Sequence, residues 1–128
     1  AATADPVQGE PKTTAAYAAW LQSAGSYTVG KAAAVSAVVV AKGDFKCNEK
    51  YPFKFKLNAP PAGVNYPQAT VRGISYGKQR SVLTIPFTPT QPGKATISGT
   101  FYVSVCNAST CKMGKQPLSV TVDVAPAG

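Results

Sequence analysis

Two cysteines that are close in sequence are the residues of this chain best suited to chemistry. Cys106 and Cys111 enclose the segment Asn-Ala-Ser-Thr. In the chain-entropy description, a disulfide that closes so short a loop adds only about 2 kcal/mol of stability, against about 4.7 kcal/mol for a loop of about 100 residues. Short, exposed disulfides can be strained and are then the labile ones. The spacing therefore favours a redox or partner-docking role, and it leaves open a plain loop staple, two ordinary thiols or a pair of metal ligands.

Other reactive groups are scarce. The chain has 128 residues and no histidine. Its carboxylates are scattered along the sequence: Asp5, Glu10, Asp44, Glu49 and Asp123. Without histidine, neither a Ser-His-Asp nor a Cys-His arrangement can form, and the commonest zinc and copper ligand is missing. No carboxylate pair suits glycosidase-type hydrolysis. We therefore expect no hydrolytic site and no cofactor.

The third cysteine, Cys47, leaves an odd number of thiols, so the three cannot all pair within one chain. Free cysteine behaves as a small hydrophobe, which predicts a buried and inert thiol at this position. Pairing with Cys106 or Cys111 and an intermolecular bridge are the alternatives. A further alternative is a soft-metal site made of Cys47, Cys106, Cys111 and Met113, because an all-sulfur set suits Cu(I). Nothing in the spacing requires that site.

The charge of the chain is strongly basic, with a net charge of +8. Five lysines are concentrated in residues 42–56, whereas the whole chain has only two arginines. Nucleic-acid grooves usually combine arginine with stacking aromatics, so we expect no nucleic-acid partner. The pattern predicts a solvated basic face, with an acidic protein or an anionic surface as the alternative partner.

The first 25 residues predict a loose leader followed by a short helix. Residues 1–12 are rich in proline, glycine and small residues, and Thr13 or Thr14 could cap a helix. One helical face would carry Tyr17, Trp20, Leu21 and Ala24. Gly25 would end the helix. No apolar run reaches the length of a transmembrane segment, and the start of the chain reads like a mature terminus left after signal removal.

Residues 26–128 predict one immunoglobulin-like antiparallel β-sandwich, because apolar residues recur with period two between turns. The segments near 94–106 and 117–124 alternate most clearly and should pair around the cysteine loop. In this register Cys106 lies on the polar face, where solvent reaches it. Gly99 is predicted as a possible bulge, and Pro86 places its strand at an edge or at its own end.

Three motifs in residues 43–124 carry a resemblance to a known family. Asn48-Glu49-Lys50-Tyr51-Pro52 precedes a strand, and Tyr76-Gly77-Lys78 precedes Leu83-Thr84-Ile85-Pro86. Tyr102 and the cysteines then form a Tyr-x3-Cys-x4-Cys segment, followed by Pro117 and a last alternating strand. In order and spacing this segment resembles the periplasmic N-terminal domain family of the thiol:disulfide interchange protein DsbD, whose members are immunoglobulin-like redox modules.

The resemblance implies a role for each matched residue. Cys106 and Cys111 match the family's redox disulfide, which exchanges electrons with thioredoxin-like and other thiol proteins. Tyr76 matches the aromatic residue of a cap loop that shields the disulfide, and Gly77 lies beside it. A periplasmic or secreted location follows from the same resemblance. The alternatives are a non-catalytic binding module with a structural disulfide and a soft-metal carrier.

Overall fold

The described residues of the computed structural model are 8–23, 25 and 27–127, and they form strands without any helix. It follows that none of them belongs to a helix able to cross a bilayer. The strands are β1 (Lys12–Thr13), β2 (Tyr17–Ser23), β3 (Tyr27–Thr28), β4 (Ala33–Ala41), β5 (Lys46–Cys47), β6 (Lys54–Leu57), β7 (Val64–Asn65), β8 (Thr70–Val71), β9 (Arg80–Pro89), β10 (Gly93–Cys106) and β11 (Cys111–Ala125).

Two sheets enclose the core, as a β-sandwich requires. The first sheet has the order β1-β2-β4-β9-β7, and the second has the order β3-β11-β10-β6-β8, with β5 also paired to β10. Most pairs are antiparallel, while β3 joins β11 in parallel. The largest fully buried side chains come from both sheets and include Phe55, Phe87, Phe101, Leu21, Leu83, Ile85 and Ile97. The all-β prediction is therefore confirmed.

The hairpin of β10 and β11 is the longest ladder of the fold. It is antiparallel and in register from Gly93↔Val124 to Cys106↔Cys111, which confirms the predicted pairing around the cysteine loop. Apolar residues of β10 alternate into the core, because residues 95 to 105 of odd number are buried. The even-numbered residues of that stretch therefore lie on the outer face, where Ser104 is nevertheless covered, and Cys106 continues this outer row.

The predicted N-terminal helix is wrong, because residues 17–23 form the strand β2. The same segment also fits a strand: Tyr17, Ala19 and Leu21 are buried in alternation, whereas Trp20 of the predicted helical face lies half-buried on the other side. Seven residue pairs join β2 to the β-branched strand β4. Sheet pairing and burial outweigh a local helical preference, since most of the stability of a short helix comes from tertiary packing.

The predicted helix cap and the predicted start of the sandwich at residue 26 also change, because residues 17–23 form a strand. Thr14 does accept hydrogen bonds from the following backbone, at 3.1 Å from the amides of Ala16 and Tyr17, but the turn leads into a strand. Because β2 pairs within the first sheet, the sandwich includes residues before 26. Residues 1–7 of the predicted leader, and Ala24 of the predicted helix, lie outside the described residues.

The structure does not confirm the bulge predicted at Gly99, whereas it explains the proline predicted at a strand edge. Gly99 is not at a bulge, because it pairs regularly with Leu118 on one side and Leu57 on the other. A Cβ at this position would collide with the Phe55 ring and with the carbonyl oxygen of Lys56, which explains the glycine.

Pro86 pairs with Ala34 of β4 on one side of β9. On the other side β7 pairs only with Thr88 and Pro89, so no partner strand there needs an N–H from Pro86.

Candidate functional site at the end of the β10–β11 hairpin

The cysteine pair closes the ladder at a tight hairpin. The Asn107 amide donates to the Thr110 carbonyl oxygen at 2.8 Å, so the next residue pair, Cys106 and Cys111, is a non-hydrogen-bonded one. In such pairs the two side chains approach more closely than in the hydrogen-bonded ones. The two sulfurs are bonded, and the two Cα atoms are 4.0 Å apart. Strand register alone therefore brings the cysteines together.

The side chain of Asn107 fixes the turn that follows. Its Oδ1 accepts hydrogen bonds from the amides of Ser109 and Thr110 at 2.9 and 2.8 Å. Its Nδ2 donates to Asp44 at 3.4 Å, which links the tip to the turn before β5. This is the local structure that asparagine favours at turns, where its side chain replaces a backbone acceptor.

The disulfide lies on the outer side of the second sheet. Cys111 is exposed and Cys106 is half-buried, so Cys111 is the more exposed residue of the pair. Lys46 lies opposite Cys106 on β5, and Lys112 follows Cys111. Lys46 shares the outer face with Cys106, and its Nζ donates to Gln79 Oε1 at 3.1 Å, whereas Lys112 pairs with the inward-facing Val105 and lies on the other face.

The predicted cap loop lies beside β5. The hydroxyl of Tyr76 donates to the carbonyl oxygen of Cys47 at 2.9 Å, and 37% of Tyr76 is exposed. Gly77 anchors the loop, because its amide donates to the buried Ser81 hydroxyl at 3.1 Å and its carbonyl accepts from that hydroxyl at 3.0 Å. The loop therefore contacts β5, which in turn pairs with β10. That the Tyr76 ring shields the two sulfurs stays a prediction.

The hydroxyl of Tyr76 has a perturbed acidity. Loss of hydration raises its pKa above the ordinary value of 10.0, and the negative charges of Glu49 and of an ionised Cys47 act in the same direction. Tyr76 therefore keeps its proton, and with it the hydrogen bond to Cys47, throughout the neutral range.

Cys47 is a buried free thiol, as predicted. It is paired with Val105, so its side chain points into the core, whereas the neighbouring Cys106 points outward. The four-sulfur set of Cys47, Cys106, Cys111 and Met113 is therefore not assembled, and a disulfide already joins two of its members. Residues 8–23, 25 and 27–127 hold no cluster of three or more metal-binding side chains of the His, Cys, Asp and Glu types.

A cluster of lysines around one tyrosine ring was missed by the sequence reasoning. The Nζ atoms of Lys54, Lys56 and Lys115 lie 4.8, 5.4 and 5.4 Å from the centroid of the Tyr102 ring. Register explains the cluster, because Tyr102 pairs with Lys54 on one side and with Lys115 on the other. The alternation of Lys54 and Lys56 with apolar residues was the available signal, but the identity of their neighbours depends on the strand order.

Apolar surface adjoins this lysine cluster. Tyr51, Met113, Gly114 and Lys115 line a shallow hollow of about 420 Å³. Met113 is 74% exposed, which is unusual for a large apolar side chain. Burial raises the pKa of Tyr51, and the nearby Tyr102 raises it further. Tyr51 therefore contributes neutral aromatic surface to this face at neutral pH.

Comparisons with known proteins identify a similar solved structure and no matching family model or curated protein. The sequence matches no protein-family model and no curated protein. Among solved structures, the chain is similar to the major subunit (AggA) of aggregative adherence fimbriae type I from Escherichia coli. The sequence identity is 14%, the match covers 97% of this chain and 98% of that chain, and the TM-score is 0.39.

Proposed function

We propose that this chain is an immunoglobulin-like redox module that exchanges the Cys106–Cys111 disulfide with thiol proteins, in the manner of the DsbD N-terminal domain family. Disulfides persist in oxidising compartments, so the proposal includes a periplasmic or secreted location. Partners of the thioredoxin-like type would supply or receive the electrons. The protein contributes an accessible disulfide on a rigid scaffold and needs no cofactor for this chemistry.

The position of the disulfide is the observation that supports this function. The bond lies at the last pair of the longest ladder, where the strands are already held by regular pairing and by the Asn107 turn. Loop entropy adds only about 2 kcal/mol for so short a loop. A bond that stabilises little but includes the exposed residue Cys111 is suited to exchange.

The exposures of the two cysteine residues suggest the order of events. A thiolate of the partner attacks the Sγ of the exposed Cys111, and the bond between the two sulfurs breaks. Cys106 leaves as a thiolate, which Lys46 on the neighbouring strand would stabilise before it takes a proton from water. A second thiolate of the partner then attacks the mixed disulfide and releases Cys111. The partner dithiol is oxidised to a disulfide, and this chain gains the two electrons.

Trapping of the mixed disulfide tests the mechanism. In Cys106→Ala, Cys111 is free and exposed, and it should form a mixed disulfide with an activated single-cysteine thioredoxin-like protein. Cys111→Ala leaves the half-buried Cys106 and should react several-fold more slowly. The rates are measured by gel shift under denaturing conditions without reductant, and Cys47→Ala is added to both variants to exclude its thiol.

Reduction of the folded wild-type protein completes the test. Dithiothreitol at millimolar concentration should open the disulfide while the circular dichroism spectrum stays unchanged. If the bond resists reduction until the protein unfolds, or if Cys106→Ala and Cys111→Ala react equally fast, the exchange mechanism is wrong.

A second candidate is a non-catalytic binding module in which the same disulfide fixes the hairpin tip. The two hydrogen bonds from Ser109 and Thr110 to Asn107 favour it, because they preorganise the tip as a rigid contact surface. A disulfide that cannot be reduced in the folded protein would select this candidate.

A further inference from the structure

The lysine cluster around Tyr102 is defined by Lys54, Lys56, Lys115 and the Tyr102 ring, and we call it the basic face. Its three ammonium groups all lie within 5.4 Å of one ring centroid. The negative face of the ring attracts each cation, but it supplies no countercharge. Three like charges gathered on one ring create a local positive potential that a negatively charged ligand would neutralise.

No carboxylate of the described residues neutralises this cluster. The ion pairs among those residues are Lys12–Glu10 and Lys94–Asp123, and neither includes a lysine of the basic face. Lys56 and Lys115 are exposed, and Lys54 is half-buried. The charges of the basic face are therefore available to an anionic group from outside.

The basic face lies on the same side of the sheet as the disulfide. Along β11, Cys111, Met113 and Lys115 occupy alternate positions, and all three are exposed. With a rise of about 3.4 Å per residue, Lys115 lies roughly 14 Å from Cys111 along the strand. That distance is within the footprint of a protein whose thiol reaches Cys111, since such interfaces bury about 800 Å² on each partner.

We infer that the basic face is the docking surface for an acidic polypeptide segment next to the cysteine of the exchange partner, an inference that rests on the function proposed above. The hollow lined by Tyr51, Met113, Gly114 and Lys115 favours a polypeptide over a lipid surface or a polysaccharide. An apolar side chain can fill that hollow while neighbouring carboxylates meet the lysines. A long polyanion would instead be matched by an extended stripe of charge, whereas these cations surround a single ring.

Two synthetic peptides test the inference. One contains a single cysteine flanked by glutamate and leucine residues, and the other has glutamine in place of each glutamate. The second-order rate of disulfide opening is measured for each peptide, corrected for its thiolate fraction and for its rate with a small neutral disulfide. At low ionic strength the acidic peptide should react about tenfold faster, and the advantage should be lost near 0.5 M salt, where the Debye length is only about 4 Å.

Charge variants assign the effect to these residues. The triple variant Lys54→Gln/Lys56→Gln/Lys115→Gln should react equally fast with the two peptides. A control with the same net charge, Lys12→Gln/Lys31→Gln/Lys94→Gln, should keep the preference. Dithiothreitol should reduce the two variants and the wild type at nearly the same rate, because its reacting thiolate carries a single charge and has no carboxylates for the lysines of the basic face to bind. Equal loss of preference in both variants would show an effect of net charge alone and would overturn the inference.

Peptides with serine in place of cysteine separate docking from exchange. If the acidic serine peptide shifts the NMR amide signals of Tyr102 and Lys115 while every thiol fails to open the disulfide, docking stands and the exchange function fails. If both cysteine peptides open the disulfide equally and neither serine peptide binds, exchange stands and docking fails. Binding to phosphatidylserine vesicles or to heparin, without preference between the peptides, assigns the face to a polyanionic surface and overturns the inference.

Discussion

The hydroxyl of Tyr76 donates a hydrogen bond to the carbonyl oxygen of Cys47 at 2.9 Å, and this contact connects the predicted cap loop to the strand beside the disulfide. The amide of Cys47 donates in turn to the carbonyl oxygen of Lys78 at 2.7 Å. Both backbone polar groups of Cys47 therefore bind the 76–78 loop. Because Cys47 is paired with Val105, the loop is held next to the residue that precedes Cys106.

Tyr76→Ala tests whether this loop limits access to the disulfide. An incoming thiolate must approach a sulfur along the S–S axis, so removal of a shielding ring should increase the rate of reduction several-fold. Tyr76→Phe keeps the ring and removes only the hydrogen bond to Cys47, so its rate should stay closer to that of the wild type. The rates are measured with glutathione under pseudo-first-order conditions.

The stability of both Tyr76 variants provides the control. Tyr76 is exposed and its hydroxyl makes one hydrogen bond, to the Cys47 carbonyl oxygen, so both proteins should remain folded. If Tyr76→Ala, Tyr76→Phe and the wild type are reduced at one rate, the ring does not shield the sulfurs. Tyr76 would then act only in holding the loop to β5.

The hairpin could be predicted from the sequence because its signal is repeated. Apolar and polar residues alternate over more than ten positions of β10, so one pattern fixed both the strand type and the outward direction of Cys106. The N-terminal helix was predicted wrongly because seven residues of β2 fit two periods equally well. Only the partner strand β4, which is distant in sequence, decides between the two.

The candidate site also has one part that the sequence predicts and one part that it does not. The cysteine pair could be identified from spacing, because residues 106 and 111 are joined by one tight turn. The basic face could not, since Lys54 and Lys115 are 61 residues apart (115 − 54) and meet only because β6 and β11 flank β10 on opposite sides. Local alternation reveals which face a lysine occupies, but it does not reveal which strands are neighbours.

Removal of the disulfide should cost little stability. The double variant Cys106→Ala/Cys111→Ala should lose at most about 2 kcal/mol of unfolding free energy, because the closed loop is short. Denaturant midpoints of the oxidised wild type and of the variant measure the difference, with equal m-values as the condition for the comparison. A loss of more than about twice that amount would make the bond structural and would favour the non-catalytic binding module.

Gly99→Ala should destabilise the second sheet. The added methyl group would meet the Phe55 ring and the carbonyl oxygen of Lys56, and overpacking of this kind costs about 1–3 kcal/mol. Thr100→Ser, one residue later and on the outer face, should change stability by about 0.5 kcal/mol or less. Thermal unfolding of the two variants and the wild type checks the difference. An equal effect at both positions would contradict the close packing of Phe55 against Gly99.

The fold should lose stability in alkali through its tyrosines. Loss of hydration raises the pKa of Tyr51 and of Tyr76 above 10.0 in the folded protein. Neighbouring negative charges raise the two pKa values further, from Tyr102 for Tyr51 and from Glu49 and Cys47 for Tyr76. A group whose folded pKa is raised binds its proton more tightly when folded, so its contribution is complete below pH 10 and is lost as the pH rises through the folded value. Denaturant midpoints between pH 9 and pH 11.5 measure this loss in the wild type and in Tyr51→Phe/Tyr76→Phe. The double variant should show a smaller decline above pH 10, because it lacks the two hydroxyls and has every other side chain in common with the wild type. Parallel declines would mean that neither hydroxyl is more acidic in the unfolded chain than in the folded one.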